Sequence, residues 1–143
     1  MDHETTLSFA GDTAKAFFRL FENEAAFGEA FTLSSAEHHT WREIASMYEE
    51  IGGLRYIEID DRDFIDECCR GNVYAWQQLR YDRCFDRVID NGKLLAVTGM
   101  KQEDFTPLEI ALRDRLTAYD GMIYDKNLND AMDECLRKRE ISE

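Results

Sequence analysis

Apolar and polar positions alternate in blocks along this chain, and most blocks repeat with a helical period. Ala14, Phe17, Phe18 and Phe21 fall on one face of a helix expected over residues 12–23, with Gly11-Asp12 offering its N-cap. An aromatic stripe of this kind is expected to face a core. The residues before it look loose, with Leu7-Ser8-Phe9-Ala10 as the end of a strand. After a connector at 23–28, residues 30–33 are compact and apolar or β-prone, which predicts a short strand covered on both faces, ended by Ser34 and Ser35. Thr40 with Glu43 three residues on predicts a capping box. Trp41, Ile44, Ala45, Tyr48 and Ile51 then line one face of a helix that Gly52-Gly53 ends.

Leu54 to Ile59 reads as a second strand, followed by the charged loop 60–63. Residues 64–69 and 73–81 read as short helices separated by Gly71, and 83–90 as a short extended piece. Asn91 is expected to cap a helix that runs to Gly99. Thr106-Pro107-Leu108-Glu109 joins an N-cap Thr, a first-turn Pro and a second capping box, ahead of a buried face of Leu108, Ala111, Leu112, Leu116 and Tyr119. Asn127 is expected to cap a last amphipathic helix carrying Leu128, Ala131, Met132, Cys135 and Leu136. The fold class is therefore α/β in the broad sense, α+β-like and helix-rich, with several helices and two or three short strands. A lone short strand needs backbone partners, so residues 30–33 ask for a sheet that the rest of the chain scarcely provides.

Length and charge narrow the function. The 143 residues make one domain, read as 1–143, and a 44% hydrophobic share suffices for a core. A net charge of −13 argues against phosphate neutralisation on nucleic acid and against anionic membranes, and reads first as solubility. No apolar run approaches the ~18 residues of a membrane span. Cys68, Cys69, Cys84 and Cys135 have no C-x-x-C spacing and no secretory segment before them, so reduced thiols and a cytoplasmic location are expected.

Candidate chemistry is sparse. No glycine-rich phosphate loop and no G-x-S-x-G elbow occurs. His38-His39 stands without a helix-spaced third ligand and reads as an exposed loop rather than a metal site. Arg62 and Arg70 near Cys68 and Cys69 offer a means of activating a thiol, but no histidine lies close in sequence. The acidic run Asp60, Asp61, Asp63, Asp66 and Glu67 lacks the glycine and spacing of a calcium loop.

The order of segments carries more. Gly11-Asp12-Thr13-Ala14-Lys15-Ala16-Phe17 leads a helix, and an Asn-Glu connector follows. Then come Gly28 to Ser34 and Thr40-Trp41-Arg42-Glu43-Ile44. This order resembles the C-terminal, substrate-binding half of extended short-chain dehydrogenases/reductases, the NAD-dependent epimerase/dehydratase family, many of which act on nucleotide sugars. Phe85 to Leu94 looks like that family's D-N-S-K segment, with Gly92 where Ser is usual. Thr98-Gly99-Met100 and the helix Thr106 to Tyr119 look like the segments that follow. The likeness spans about 7–119, and residues 120–143 add a further helix.

The resemblance implies that the Rossmann half, with its NAD-binding glycine loop, catalytic Ser/Thr and Tyr-x-x-x-Lys pair, lies upstream of this sequence. The chain is then a truncated product or an expressed piece, with no cofactor of its own, NAD being implied only for a full-length relative. None of Tyr48, Tyr56, Tyr74, Tyr81, Tyr119 and Tyr124 has Lys four residues on, so the family's acid–base pair is absent in its usual form. The expected function is binding of a nucleotide-sugar ligand without catalysis. By position, Asp60, Arg62, Asp90, Asn91 and Lys93 form the expected substrate-binding wall, with Arg62 suited to a diphosphate. The rival expectation is a small acidic interaction module, self-associating through sheet edges such as residues 30–34 or through aromatic faces.

Overall fold

The computed structural model describes residues 2–119, 121 and 126–140, apart from the side chains of Leu128 and Glu140. The chain divides into two compact units, Met1–Leu54 with Asp86–Ala118, and Arg55–Phe85 with Tyr119–Glu143. Among the described residues it is helix-rich with one two-stranded antiparallel sheet.

In the first unit, residues that look loose in sequence form its middle line. Strand β1 (Glu4–Thr5) pairs antiparallel with β2 (His39–Thr40). On its other side Thr5 makes a parallel bridge to Arg87, through Arg87 N–H to Glu4 C=O at 2.8 Å and Thr6 N–H to Arg87 C=O at 3.0 Å. Of the extended piece expected at 83–90, Arg87 alone makes a bridge, and Arg83 ends a π turn instead. Thr5 is buried, and its hydroxyl accepts from Arg87 Nη2 at 2.8 Å.

Helix α1 (Ala10–Phe21) starts two residues earlier than the sequence suggests, with Phe9 at its N-cap. Asp12 is therefore inside the first turn and caps nothing locally. The buried face of α1 is Asp12 and Ala16, and Ala16 packs with Leu94, Met100 and Phe105. The aromatic stripe points the other way: Phe17, Phe18 and Phe21 are 60%, 61% and 73% exposed. Small Ala16 permits close approach to Leu94, whereas the phenylalanines would hold the two helices apart.

Residues 30–33 pair with no strand, and neither do 54–59, so both expected strands are absent from the sheet. The backbone around residue 34 is satisfied by side chains instead, as described below. Helix α2 (Trp41–Gly52) is built as its sequence dictates. Thr40 Oγ1 accepts the Glu43 amide at 3.2 Å, the Glu43 carboxylate accepts the Thr40 amide at 2.8 Å, and Gly53 takes the left-handed cap at φ 65°. Ile44 meets Leu108 and Leu112, with Trp41, Met47, Tyr48 and Ile51 around them.

Helices α5 (Gly92–Thr98) and α6 (Leu108–Thr117) complete this unit. α5 is capped by Asp90, whose Oδ1 accepts the Gly92 amide at 2.8 Å, and not by the side chain of Asn91. α6 begins after Pro107 with no local side-chain cap. Its first amide, on Leu108, donates to Glu37 Oε2 at 2.9 Å, so the capping group comes from a distant loop and the expected Thr106–Glu109 box does not form. Leu108, Ala111 and Leu112 face the core as expected, while Tyr119 is exposed.

The second unit holds α3 (Asp61–Asp63), which runs into a π turn at Phe64–Cys68, and α4 (Val73–Gln78), which runs into a π turn at Leu79–Arg83. Helix α7 (Lys126–Glu140) begins before Asn127, which lies inside it rather than at its cap. The side chain of Leu128, expected on its apolar face, lies outside the described residues. Ala131 and Cys135 of α7 are buried, as are Ile65, Cys68 and Cys69 of the π turn and its end. Arg139 clamps the two segments, donating to Glu67 Oε2 at 2.9 Å and Asp63 Oδ2 at 3.3 Å.

Candidate functional site

The segment 30–36, which pairs with no strand, creates an organised polar cluster in the first unit. Without a neighbouring strand, its buried backbone groups need other partners. Asn91, 3% exposed, donates from Nδ2 to Ser34 C=O at 2.9 Å and to Gln102 Oε1 at 3.3 Å. Gln102 Nε2 donates back to Asn91 Oδ1. Gln102 Oε1 also accepts the Ala36 amide at 3.3 Å. The hydroxyls of Ser8 and Ser34 bond at 2.7 Å, and Ser8 Oγ accepts the Ser35 amide at 3.2 Å. Residues 34–36 are therefore held at each residue by a side chain from elsewhere.

Beside them lies a cavity of about 550 Å³, lined among others by Ser35, Glu37, Gln102, Glu103, Phe105 and Pro107. Ser35 is buried, and among the described residues its Oγ has no hydrogen-bond partner. Glu37 binds the Leu108 amide with one oxygen and His39 Nε2 with the other, at 2.8 Å. With no histidine on its hydroxyl, Ser35 is not arranged as a nucleophile with a base. The arrangement suits binding.

The five residues expected to form a substrate wall fall in both units. Asp90, Asn91 and Lys93 lie in the first. Asn91 is a buried clamp with its amide fully used, and Asp90 is an exposed cap. Lys93 Nζ donates to Glu29 Oε2 at 2.7 Å and to Ala30 C=O at 3.0 Å, and lies 4.8 Å from the Phe31 ring centre. That ammonium holds the Glu29 carboxyl below its usual range. Asp60 and Arg62 lie in the second unit. Asp60 Oδ1 accepts the Arg62 amide at 2.9 Å, which starts α3. The Arg62 side chain is exposed and has no ion-pair partner among the described residues.

Sequence reading passed over Ser35, Glu37 and Gln102. Ser34 and Ser35 read only as the end of a strand, and nothing local links Gln102 to them. The one available signal was the unpaired segment itself, which requires amide or hydroxyl side chains nearby.

The cysteines lie in the second unit as free thiols, with Cys84 exposed and the other three buried. Burial, and then the neighbouring Cys135 thiol, push the Cys68 thiol up to about 12, and burial raises Cys69. Neutral thiols of this kind are poor nucleophiles at pH 7. The described residues contain no cluster of three metal-ligating side chains, and no helix among them is long and apolar enough to cross a membrane.

No family model, curated protein or solved structure matches this chain.

Proposed function

We propose that this chain is the substrate-binding domain of an NAD-dependent nucleotide-sugar epimerase/dehydratase-like protein, and that it is not catalytically competent by itself. The order of its sequence segments supports this, as does the lack of any Tyr-x-x-x-Lys pair. The observation that carries it is the open face of α1, where Phe17, Phe18 and Phe21 stand in solvent with Phe27 close by in sequence, 70% exposed. A face this apolar fits a domain that packs on another body, here a Rossmann-type half that would hold NAD. Within the second unit, the Arg62 guanidinium, exposed and without an ion-pair partner among the described residues, suits a diphosphate, and Asp60 lies beside it in sequence. Asn91 would act by positioning residues 34–36 and not by contact.

Titration of the isotope-labelled chain with UDP-glucose, GDP-mannose and dTDP-glucose, and separately with NAD, tests this by amide NMR. At least one nucleotide sugar is expected to shift the amides of Asp60 or Arg62, with NAD silent. Saturable NAD binding, or silence toward all three nucleotide sugars, would overturn it.

The same open face favours a second reading, an acidic protein–protein interaction module. The Ser34 carbonyl and Ser35 amide are already bonded to side chains, so α1 is a better contact surface than an edge at 30–34.

A further inference from the structure

Two of the three buried cysteines of the second unit lie against each other. Cys135 is 2% exposed on α7, and Cys68 is 5% exposed at the end of the π turn 64–68. The Cys68 thiol donates to Cys135 Sγ. Other contacts put Cys135 at the same turn. Its S–H points at Glu67 Oε2, 4.0 Å away, and Glu67 is the residue next to Cys68. Arg139 Nη1 donates to Cys135 Sγ and to Glu67 Oε2, each at 2.9 Å. The turn that presents Cys68 is closed by its own backbone, through Cys69 N–H to Phe64 C=O at 2.9 Å and Gly71 N–H to Ile65 C=O at 2.8 Å. Cys69 is buried as well, but Cys135 does not act on its thiol. Sulfurs close enough to hydrogen-bond can be joined with little backbone movement.

The surroundings of Cys135 also supply what oxidation of a thiol needs first. The thiolate is the reactive form. Glu67 stands where it can accept the thiol proton, and the Arg139 guanidinium stands where it balances the charge left on sulfur. The Glu67 and Arg139 side chains are 39% and 26% exposed, so the proton has a way to solvent although the sulfur is covered.

We propose that Cys68 and Cys135 are a peroxide-sensitive thiol pair, which hydrogen peroxide converts into a disulfide that staples α7 to the turn 64–68. The Cys135 thiolate attacks one peroxide oxygen. An S–O bond forms, the O–O bond breaks, and the departing hydroxide takes up a proton and becomes water. The Cys68 sulfur then attacks Cys135 Sγ. The S–S bond forms, the S–O bond breaks, and the hydroxyl leaves with the Cys68 proton as a second water. Two thiols give up two electrons and two protons, and one peroxide is reduced to two waters. Both sulfurs are buried, so opening of the second unit sets the rate. The pair lies wholly in that unit and is independent of the ligand binding proposed above.

The test uses the full chain carrying Cys84→Ser, which removes the exposed thiol. It is treated with hydrogen peroxide, alkylated in concentrated urea and digested without reductant for mass spectrometry. A link from Cys68 to Cys135 is expected, with Cys69 alkylated. Peroxide added to chain already unfolded in urea is expected to link Cys68 and Cys69 to Cys135 about equally, because the two loops differ in length by a single residue. The linked native chain is expected to melt higher than the reduced one, and dithiothreitol to restore the lower midpoint. Cys69→Ser is expected to keep the link, and Cys68→Ser to leave the native chain unlinked. Absence of any link in the native chain would overturn the proposal. So would a Cys69–Cys135 link formed as readily as the Cys68–Cys135 link, or a linked chain that melts lower than the reduced one.

Discussion

The carboxylate of Asp12 accepts the backbone amide of Thr106 at 2.6 Å, joining residues 94 positions apart. Its other oxygen accepts from Lys15 Nζ at 2.8 Å. Burial pushes this carboxyl up, but the Lys15 ammonium and the amide and hydroxyl of Thr106 outweigh burial and hold it below its ordinary value of 3.8. A group lowered on folding stabilises fully above its unfolded value, and that contribution is lost as pH falls through the lowered folded one. Unfolding by urea across pH 7 to 2 is therefore expected to show stability falling below about pH 4. Asp12→Asn is expected to be less stable at pH 7 by roughly 1.5–3 kcal/mol, the worth of hydrogen bonds to a charged group, with a shallower acid loss. An unchanged acid profile in Asp12→Asn would remove Asp12 as the source.

Leu94 is 1% exposed and sits between Ala16, Met100 and Phe105. Leu94→Ala is expected to cost about 2–5 kcal/mol, and Leu94→Met under about 1.5 kcal/mol. Equilibrium denaturation of both variants checks the difference, which separates a packed position from one merely covered.

Asn91 spends its whole amide inside the protein. Asn91→Leu leaves the Ser34 carbonyl and the Gln102 side chain without this partner, and is expected to destabilise by about 1–3 kcal/mol. Hydrogen exchange at residues 34–36 is expected to speed up in the variant. Unchanged exchange there would mean that the segment is held by its other contacts alone.

Thiol labelling is expected to be biphasic. Cys84 is exposed and reacts at once, whereas Cys68, Cys69 and Cys135 react only when the second unit opens. Mass spectrometry after brief iodoacetamide treatment at pH 7.5 is expected to find one label, on Cys84. Rapid labelling of Cys68 would contradict both its burial and its raised thiol.

The open face of α1 predicts concentration-dependent self-association when no other body covers it. Light scattering is expected to show mass rising at high micromolar concentration, and Phe17→Ser with Phe18→Ser to abolish the rise. A clean monomer throughout would show that the phenylalanines tolerate water in this chain.

What the sequence disclosed depended on distance. The capping box of Thr40 and Glu43 and the left-handed Gly53 are local devices, and both stand where residue spacing puts them. The helices at 10–21, 92–98 and 108–117 were legible from their apolar spacing, although the local caps expected for them do not form. Periodicity also found the aromatic face of α1, but periodicity does not say which face turns inward. That was decided by Asp12 reaching Thr106 and by Ala16 fitting Leu94, both contacts with the far end of the chain. Residues 30–33 form no strand despite their composition, and side chains satisfy the adjoining backbone, a substitution no local pattern announces. For the same reason Asn91 was visible as a polar position, and Ser35, Glu37 and Gln102 were not.

The bridge between Thr5 and Arg87 sets a schedule for synthesis. The first unit is discontinuous, interrupted by residues 55–85. Its earliest line, Glu4–Thr5, gains one neighbour when His39–Thr40 emerges from the ribosome and the second only after Arg87 does. Until then the Glu4 carbonyl and the Thr6 amide lack their Arg87 partner, and the nascent chain must wait with them exposed. Such late closure of distant segments slows folding and lengthens the interval in which a growing chain depends on chaperones.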